Sequence, residues 1–181
     1  MVNFLPQTER NLILTGYVGA QQPILGRQIA ERLRMRYVNF EALIAERIEL
    51  PVEEIRAYYG ETRLKSIETE LIQETALRRS TVIRVSGRTL LHNDHLARLL
   101  DTGPVICLTV QLGAMLQRLH ITMGARFHNP DERALAFGEL KREWAIRGAP
   151  GIHELDTTQL EDADVVETVA SLWQDLALER G

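Results

Sequence analysis

The sequence predicts a three-layer α/β/α fold built on a five-stranded parallel sheet. Short apolar runs that are typical of buried strands alternate along the 181-residue chain with segments that are apolar at helical spacing. Breaks such as Leu50-Pro51 and the turn at 101–104 separate these segments. Regular alternation of this kind places helices on both faces of a parallel sheet. We therefore expect one domain over residues 1–181, with an N-terminal extension at 1–10.

The predicted elements follow from the apolar spacing. Strands are predicted at 11–15, 36–39, 81–86, 104–110 and 152–156. Helices are predicted at 23–34, 40–48, 51–58, 62–79, 90–100, 111–120, 131–146 and 162–178. Residues 121–133 form the longest polar, breaker-containing stretch and suggest a lid-like loop, with a plain surface loop as the alternative.

Composition excludes several functional classes. The net charge of −4 argues against a general nucleic-acid binder, and no apolar run approaches the ~20 residues that cross a membrane. The first residues lack the basic and apolar regions of a signal peptide. Cys107 lies in an apolar run and indicates core packing rather than a nucleophile. These features predict a cytoplasmic protein without disulfides or membrane partners.

The loop after the first strand has the context of a phosphate-binding P-loop, between a buried strand and an amphipathic helix. Gly16 and Gly19 are present, but Gln21, Gln22 and Pro23 stand where that motif carries Gly, Lys and Ser or Thr. The loop therefore lacks the bare backbone, the cation and the magnesium-binding hydroxyl. The alternative is an ordinary strand-to-helix turn with Pro23 in the first helical turn.

Two other groups of residues resemble sites of chemistry. His92 and His95 flank Asp94, but no third or fourth ligand is spaced to complete a metal site, so a solvated helix start is predicted and no metal is expected. The triplet at 101–103 resembles an aspartic-protease motif, which an α/β chain with one copy does not support. It predicts a turn before a strand.

Several motifs at matching mutual spacings resemble the shikimate kinase family from about residue 11 to 175. They are the P-loop position, the helix at 25–33, the segment Tyr37-Val38-Asn39-Phe40-Glu41 and the segment that begins Gly60-Glu61 and ends at Glu68. The resemblance implies a P-loop kinase-like fold. In an active member it also implies ATP and Mg²⁺ as cofactors and shikimate as the phosphate acceptor.

The resemblance assigns roles on the acceptor side of the site. Asn39 and Glu41 occupy the family's Asp-x-Asp, which implies that Glu41 binds acceptor hydroxyls and acts as the catalytic base. Lys65 replaces an Arg that clamps the substrate carboxylate, and it keeps the charge without the bidentate fork. Glu68 matches the family. On a helix Lys65 and Glu68 face the same side, where an exposed ion pair is the alternative.

Further candidate positions follow along the chain. The family's Gly-Gly-Gly turn falls on 86–88, so that Gly87 survives and Arg88 adds a cation beside the acceptor pocket. Arg142 matches a second carboxylate-binding Arg, and Arg126 is the one cation of the lid stretch that aligns with the family's lid. Arg84 lies within a buried strand, where it requires a partner or an anion.

Loss of the phosphate-gripping residues on a retained scaffold favours a pseudokinase or a protein that binds a small anionic molecule. Under this hypothesis no cofactor is expected. One alternative is an active shikimate kinase or related phosphotransferase that uses ATP through an altered site. A third hypothesis is a scaffold or partner subunit, for which we expect an apolar surface patch and a pocket filled by side chains such as Gln22 and Arg88.

Overall fold

The five strands of the computed structural model, which describes residues 5–19 and 21–179, form one parallel sheet in the order β2-β3-β1-β4-β5. Their bounds are β1 Leu12–Gly16, β2 Arg36–Asn39, β3 Thr81–Arg84, β4 Val105–Thr109 and β5 Ile152–Asp156. The predicted five-stranded parallel sheet is confirmed, because every neighbouring pair of strands runs parallel.

Eight helices connect and cover the strands in the described part of the chain. They are α1 Gln22–Leu33, α2 Phe40–Ile48, α3 Val52–Thr75, α4 Gly87–Leu90, α5 His95–Leu100, α6 Leu112–Met123, α7 Pro130–Trp144 and α8 Asp162–Glu179. None of these helices combines the length and the apolar character that crossing a lipid bilayer requires.

The alternation of side chains along the strands divides the core into two layers. Leu12 and Leu14 of β1 belong to one cluster with residues of α1, α6, α7 and α8. Ile13, between them in sequence, belongs to a second cluster with residues of α2, α3 and α5. Successive strand residues point to opposite faces, so each central strand contributes to both layers. The predicted three-layer α/β/α architecture follows directly.

Three predicted element boundaries differ from the structure. The predicted helices 51–58 and 62–79 are one helix, α3, which bends at Gly60 where φ is 80°. The predicted helix 90–100 is divided into α4 and α5. The predicted loop at 121–133 instead contains the end of α6, a 3₁₀ turn at Gly124–His128 and the start of α7. Closure of this segment as a lid stays a prediction.

The proposed N-terminal extension is described only from residue 5, and its residues 1–4 lie outside the described part of the chain. A short 3₁₀ turn at Gln7–Glu9 precedes β1. The carboxyl ends of β1, β2 and β3 meet at one edge of the sheet. This edge carries the loop after Gly16, the start of α2 and the start of α4, and it therefore brings together the positions selected from the sequence.

Candidate functional site

Gln22 fills the loop that follows β1. Its side-chain Nε2 donates to the carbonyl oxygen of Gly16 at 2.7 Å, and its Oε1 accepts from the backbone N–H of Val18 at 3.2 Å. Gln22 is 2% exposed, so the amide is buried inside the loop. A backbone N–H of the kind that cradles phosphate in a P-loop is thus already bonded within the protein.

The other two altered loop positions also affect the backbone. Gly19 has a φ of 145°, and a Cβ built there would lie 2.3 Å from Oε1 of Gln21, so the Gln21 side chain packs against this glycine. Pro23 lies in the first turn of α1, as the alternative of an ordinary strand-to-helix turn also predicts. It contributes neither an N–H nor a hydroxyl to the loop.

Two side chains that the sequence analysis did not select hold the loop from outside. Arg118 of α6 donates Nη1 to the carbonyl oxygen of Val18 at 2.6 Å. Trp144, at the end of α7, donates Nε1 to the carbonyl oxygen of Tyr17 at 3.1 Å. Both come from elements far from the loop in sequence, so no local pattern indicates them. Arg118 also lines a cavity of about 410 Å³ beside Gly19 and Gln21.

A second cavity, of about 430 Å³, lies at the starts of α2, α3 and α4 and the end of α7, and we call it the acceptor cavity. It contains four of the sequence-predicted substrate residues. Its lining includes Glu41, Glu68, Arg88 and Arg142. The lining also includes Arg56, Glu139 and Glu143, which the sequence analysis had not selected. Lys65 is exposed on α3 and does not line the cavity.

The three lining arginines form a cluster in which every guanidinium has a carboxylate partner. Arg56 contacts Glu53 at 2.7 Å and Glu61 at 3.1 Å. Arg88 pairs with Glu61, and Arg142 pairs with Glu139. Burial lowers the pKa of Arg88, and the charges of Arg56 and Arg142 lower this pKa further. The three cations are therefore close enough to repel one another.

Arg84, which the sequence left in need of a partner, forms a buried ion pair with Glu143. Its Nη2 lies 3.1 Å from Glu143 Oε2, and the two side chains are 12% and 10% exposed. Burial raises the pKa of Glu143, and the charge of Arg84 opposes this shift. The sequence did not identify Glu143 as the partner of Arg84. The two residues meet because the end of α7 packs over the carboxyl end of β3.

Glu68 is buried and bonded on both oxygens. Oε1 accepts from the hydroxyl of Thr89 at 3.1 Å, and Oε2 lies 3.0 Å from Nδ1 of His92. The exposed ion pair between Lys65 and Glu68 that the sequence allowed is therefore absent, since Glu68 turns toward α4 instead. His95 is fully buried and contacts the Thr89 carbonyl oxygen and the Thr69 hydroxyl. The predicted solvated start of this helix is therefore wrong.

Glu41 and Asn39 have different roles at the start of α2. The Asn39 side chain caps the helix by accepting from the backbone N–H of Glu41 at 3.2 Å. The carboxylate of Glu41 is exposed, lines the acceptor cavity and has no ion pair among the residues described. Its charge nevertheless contributes to raising the pKa of Glu143.

The remaining candidates lie around the site or away from it. Gly87 is buried, and a Cβ there would lie 2.2 Å from the carbonyl oxygen of Glu143, so this glycine allows α4 and α7 to approach closely. Arg126 lies in the 3₁₀ turn, 3.6 Å from Glu132, and does not line the acceptor cavity. Cys107 is fully buried in β4, and burial raises its thiol pKa to about 12, as a core residue requires.

Comparison with known proteins agrees with this arrangement. The family model for shikimate kinase matches residues 19–172. The shikimate kinase of Geobacter metallireducens is 27% identical over 164 residues, which cover 91% of this chain and 92% of that enzyme. The shikimate kinase of Geobacter sulfurreducens is 33% identical over 115 residues, and the match spans 64% of this chain and 64% of that enzyme.

Solved structures share the fold. A shikimate kinase from Bacteroides thetaiotaomicron superposes with a TM-score of 0.73 at 24% identity, covering 94% of this chain and 98% of that one. A shikimate kinase from Acinetobacter baumannii in complex with shikimate also gives 0.73, at 20% identity, covering 92% of this chain and 93% of that one. At these identities the likeness establishes the architecture, and it confirms the P-loop kinase-like fold predicted from the sequence.

Proposed function

Because the chain belongs to the shikimate kinase family, we propose that it is a member that has lost ordinary ATP–Mg²⁺ phosphoryl transfer and has retained a small-molecule pocket. The observation that carries this proposal is the pair of hydrogen bonds through which Gln22 closes the loop. Phosphoryl transfer depends on backbone N–H groups, a lysine and a magnesium-ligating hydroxyl at such a loop. The residues of this loop therefore do not fit a nucleoside triphosphate with its Mg²⁺ ion.

The magnitude of the loss supports the same conclusion. Removing one charged or hydrogen-bonding group that stabilises a transition state costs on the order of 3 kcal/mol, or a hundredfold in rate. At 21–23 all three positions of the motif are replaced at once by Gln21, Gln22 and Pro23. We therefore expect no measurable turnover rather than a slower kinase.

An open acceptor cavity favours ligand binding over the alternative of a scaffold with a vestigial pocket. That alternative predicts that side chains such as Gln22 and Arg88 fill the pocket. Gln22 is buried in the loop, but about 430 Å³ remains open beside Arg88 and Arg142. The sequence predicted a small anionic ligand, and the arginine cluster supports an anionic group on the ligand. Under this proposal Glu41, Glu68, Arg88 and Arg142 contact the ligand.

Isothermal titration with ATP–Mg²⁺ and a coupled assay for shikimate-dependent ADP formation test the proposal. We expect no saturable binding of ATP up to millimolar concentrations and no ADP formation above a protein-free control. Micromolar binding of ATP–Mg²⁺ would contradict the proposed loss of nucleotide binding, and turnover that depends on shikimate would show an active kinase with an altered site.

A restored loop provides the complementary test. The triple variant Gln21→Gly, Gln22→Lys and Pro23→Ser supplies the missing groups, and we expect it to gain ATP–Mg²⁺ binding. The matched control is Gln28→Lys, which adds a cation at an exposed position on the same helix. If the triple variant gains no more binding than the control, these three positions are not the cause of the loss.

A further inference from the structure

Glu68 is the most buried of the five glutamates that line the acceptor cavity, at 5% exposed against 8% for Glu143. Glu143 has the guanidinium of Arg84 beside it. In the part of the chain that the structure describes, the one ion pair of Glu68 is with His92, whose Nδ1 lies 3.0 Å from Oε2. Because a buried carboxylate is costly without a compensating charge, the protonation of His92 decides whether the charge of Glu68 is balanced.

Two hydroxyl groups hold Glu68 as a hydrogen-bond acceptor. The backbone N–H of Thr89 donates to Oγ of Ser86 at 3.2 Å, which leaves the Ser86 hydroxyl to donate to Oγ1 of Thr89 at 3.0 Å. The Thr89 hydroxyl in turn donates to Oε1 of Glu68 at 3.1 Å. Both hydroxyl donors thus point toward the carboxylate, which suits an ionised group that only accepts hydrogen bonds.

The hydrogen bond between His92 and Glu68 is compatible with both charge states of the imidazole. Because an ionised carboxylate only accepts, Nδ1 of His92 carries a hydrogen in the neutral ring and in the protonated ring. The second proton is therefore gained and lost at Nε2, which has no hydrogen bond to the described residues, in a side chain that is 15% exposed. Imidazole is the side chain whose ordinary charge change falls between pH 5 and 8. Titration therefore changes the charge beside Glu68 without breaking the contact.

Other ionisable groups on the neighbouring turns are exposed or already have partners. They are Lys65 on α3, which is exposed, Arg88 on α4, which pairs with Glu61, and Asp94 and Arg98 at the start of α5, which pair with each other. Across the cavity, α7 contributes Glu143, which pairs with Arg84, and Arg142, which pairs with Glu139. The ring centre of His95 lies 6.2 Å from that of His92, but His95 is fully buried and both of its ring nitrogens are bonded. His92 is therefore the group here that both contacts Glu68 and reaches solvent.

We propose that His92 is a positioning residue that controls anion binding in the acceptor cavity by setting the net charge at Glu68. The protonated imidazole balances Glu68, so that the cluster of Arg56, Arg88 and Arg142 attracts an anionic group. The neutral imidazole leaves Glu68 as an unbalanced anion that repels the same group. This inference rests on the proposed function for the negative charge of the ligand, and it adds that proton uptake at His92 regulates binding.

Binding of shikimate at two pH values tests this effect of charge. Shikimate is the probe because its carboxylate is ionised well above the usual carboxyl range, so that its own charge is constant between pH 6 and pH 8. Titrated calorimetrically into the wild-type protein, it is expected to bind about tenfold more tightly at pH 6 than at pH 8. The same affinity at both pH values would overturn the inference.

Variants of His92 separate its charge from its shape. His92→Gln keeps an N–H donor for Glu68 without a charge, so at pH 6 it should bind about as weakly as the wild type does at pH 8. Its affinity should differ less than about twofold between the two pH values, whereas a variant that only loosened the packing would keep the pH dependence. His92→Lys supplies a cation at both pH values and should retain the tighter affinity at pH 8.

Two further variants complete the set. Glu68→Gln removes the other charge of the pair and should also abolish the pH dependence. His153→Gln is the matched control, because His153 lies on β5, at the opposite edge of the sheet from β2, and does not line the acceptor cavity. It should keep the wild-type pH dependence, and circular dichroism checks the folding of every variant. A pH dependence retained in folded His92→Gln would contradict the inference and point instead to Glu143, whose pKa burial raises.

The outcomes separate this inference from the proposed function. If shikimate binds equally at both pH values and ATP–Mg²⁺ does not bind, the proposed function stands and the role of His92 fails. If ATP–Mg²⁺ binds while His92→Gln removes a pH dependence of shikimate binding, the proposed loss of phosphoryl transfer fails and the role of His92 stands. If shikimate binds at neither pH, the inference fails, and the ATP titration alone decides whether nucleotide binding has been lost.

Discussion

The loop after β1 and the acceptor cavity lie at the same edge of the sheet, but they satisfy their polar groups in opposite ways. In the loop, a neutral amide, Gln22, bonds directly to the backbone and does not line the cavity of about 410 Å³ beside Gly19 and Gln21. In the cavity, charged side chains pair with one another around about 430 Å³ of open space. The Gln22 amide is therefore part of the buried interior of the loop, whereas the paired charges of the acceptor cavity border open space.

The difference matters because the two kinds of contact respond differently to a competing ligand. A buried amide that bonds to its own backbone must leave two groups unpaired before phosphate can enter. A partly exposed pair such as Arg142 and Glu139 exchanges partners at small cost, because surface ion pairs contribute little. The proposed loss of nucleotide binding therefore does not entail loss of the pocket beside the loop.

The buried pair beneath the cavity gives the largest expected effect. Arg84→Met leaves Glu143 buried without its cation and should destabilise the fold by about 3–5 kcal/mol at pH 8. The pKa of Glu143 is already raised, so the folded state favours its protonated form. Its contribution to stability is greatest below the ordinary carboxyl range and falls as the pH rises through the folded-state pKa.

Urea unfolding at pH 5 and pH 8 measures this effect. Because removing Arg84 raises the Glu143 pKa further, the loss should be smaller at pH 5 than at pH 8. Arg32→Met is the matched control, since the pair that Arg32 forms with Glu167 is 44% and 59% exposed and should contribute less than about 1 kcal/mol. Equal losses at both pH values would show that the protonation state of Glu143 does not change between pH 5 and pH 8.

Gly16, at the first position of the loop, gives the next largest effect. Its φ is 84°, and a Cβ there would lie 2.2 Å from the backbone oxygen of Leu108 on the neighbouring strand. Gly16→Ala should cost about 3 kcal/mol in the free energy of unfolding, because both the backbone conformation and the neighbouring strand resist it. Gly113→Ala, in α6 with open space around its α-carbon, should be neutral or slightly stabilising.

Gln22 itself should contribute about 2 kcal/mol. Gln22→Leu keeps the volume but leaves the Val18 N–H and the Gly16 carbonyl without partners inside a buried loop. Chemical denaturation compares it with Gln28→Leu, an exposed position on the same helix that should change stability by less than about 0.5 kcal/mol. A loss no greater than the control's would mean that water already reaches the loop.

Substitution of Asn39 should have the smallest effect on stability, and it tests whether this side chain serves to cap α2. Asn39→Ala removes the cap of α2 and should cost about 1 kcal/mol. Asn39→Asp preserves an accepting oxygen and should stay within about 0.5 kcal/mol of the wild type. Thermal unfolding compares the stability of the two variants. An equally large loss of stability in both would argue against capping as the function of this side chain.

The sequence identified some of the residues that line the acceptor cavity and missed others. Glu41, Glu68, Arg88 and Arg142, which the family resemblance assigned to the acceptor side, line one cavity, and their contact with a ligand stays a prediction. Arg56 and Glu143 were not selected, because nothing in their local sequence distinguishes them from solvated helix residues. Lys65 was selected and lies outside the cavity, since the bend of α3 at Gly60 and the turn of Glu68 toward Thr89 decide which face points inward.

The sequence by itself determined the alternation of strands and helices, the position of the loop and the absence of a cation and hydroxyl from it. These are local properties of residue type and spacing. Tertiary structure alone decided that Gln22 bonds across the loop, that Glu143 pairs with Arg84 and that three arginines line one cavity with five glutamates. Such pairings join residues distant in the chain, and their energies depend on burial and distance, which only the packed fold defines.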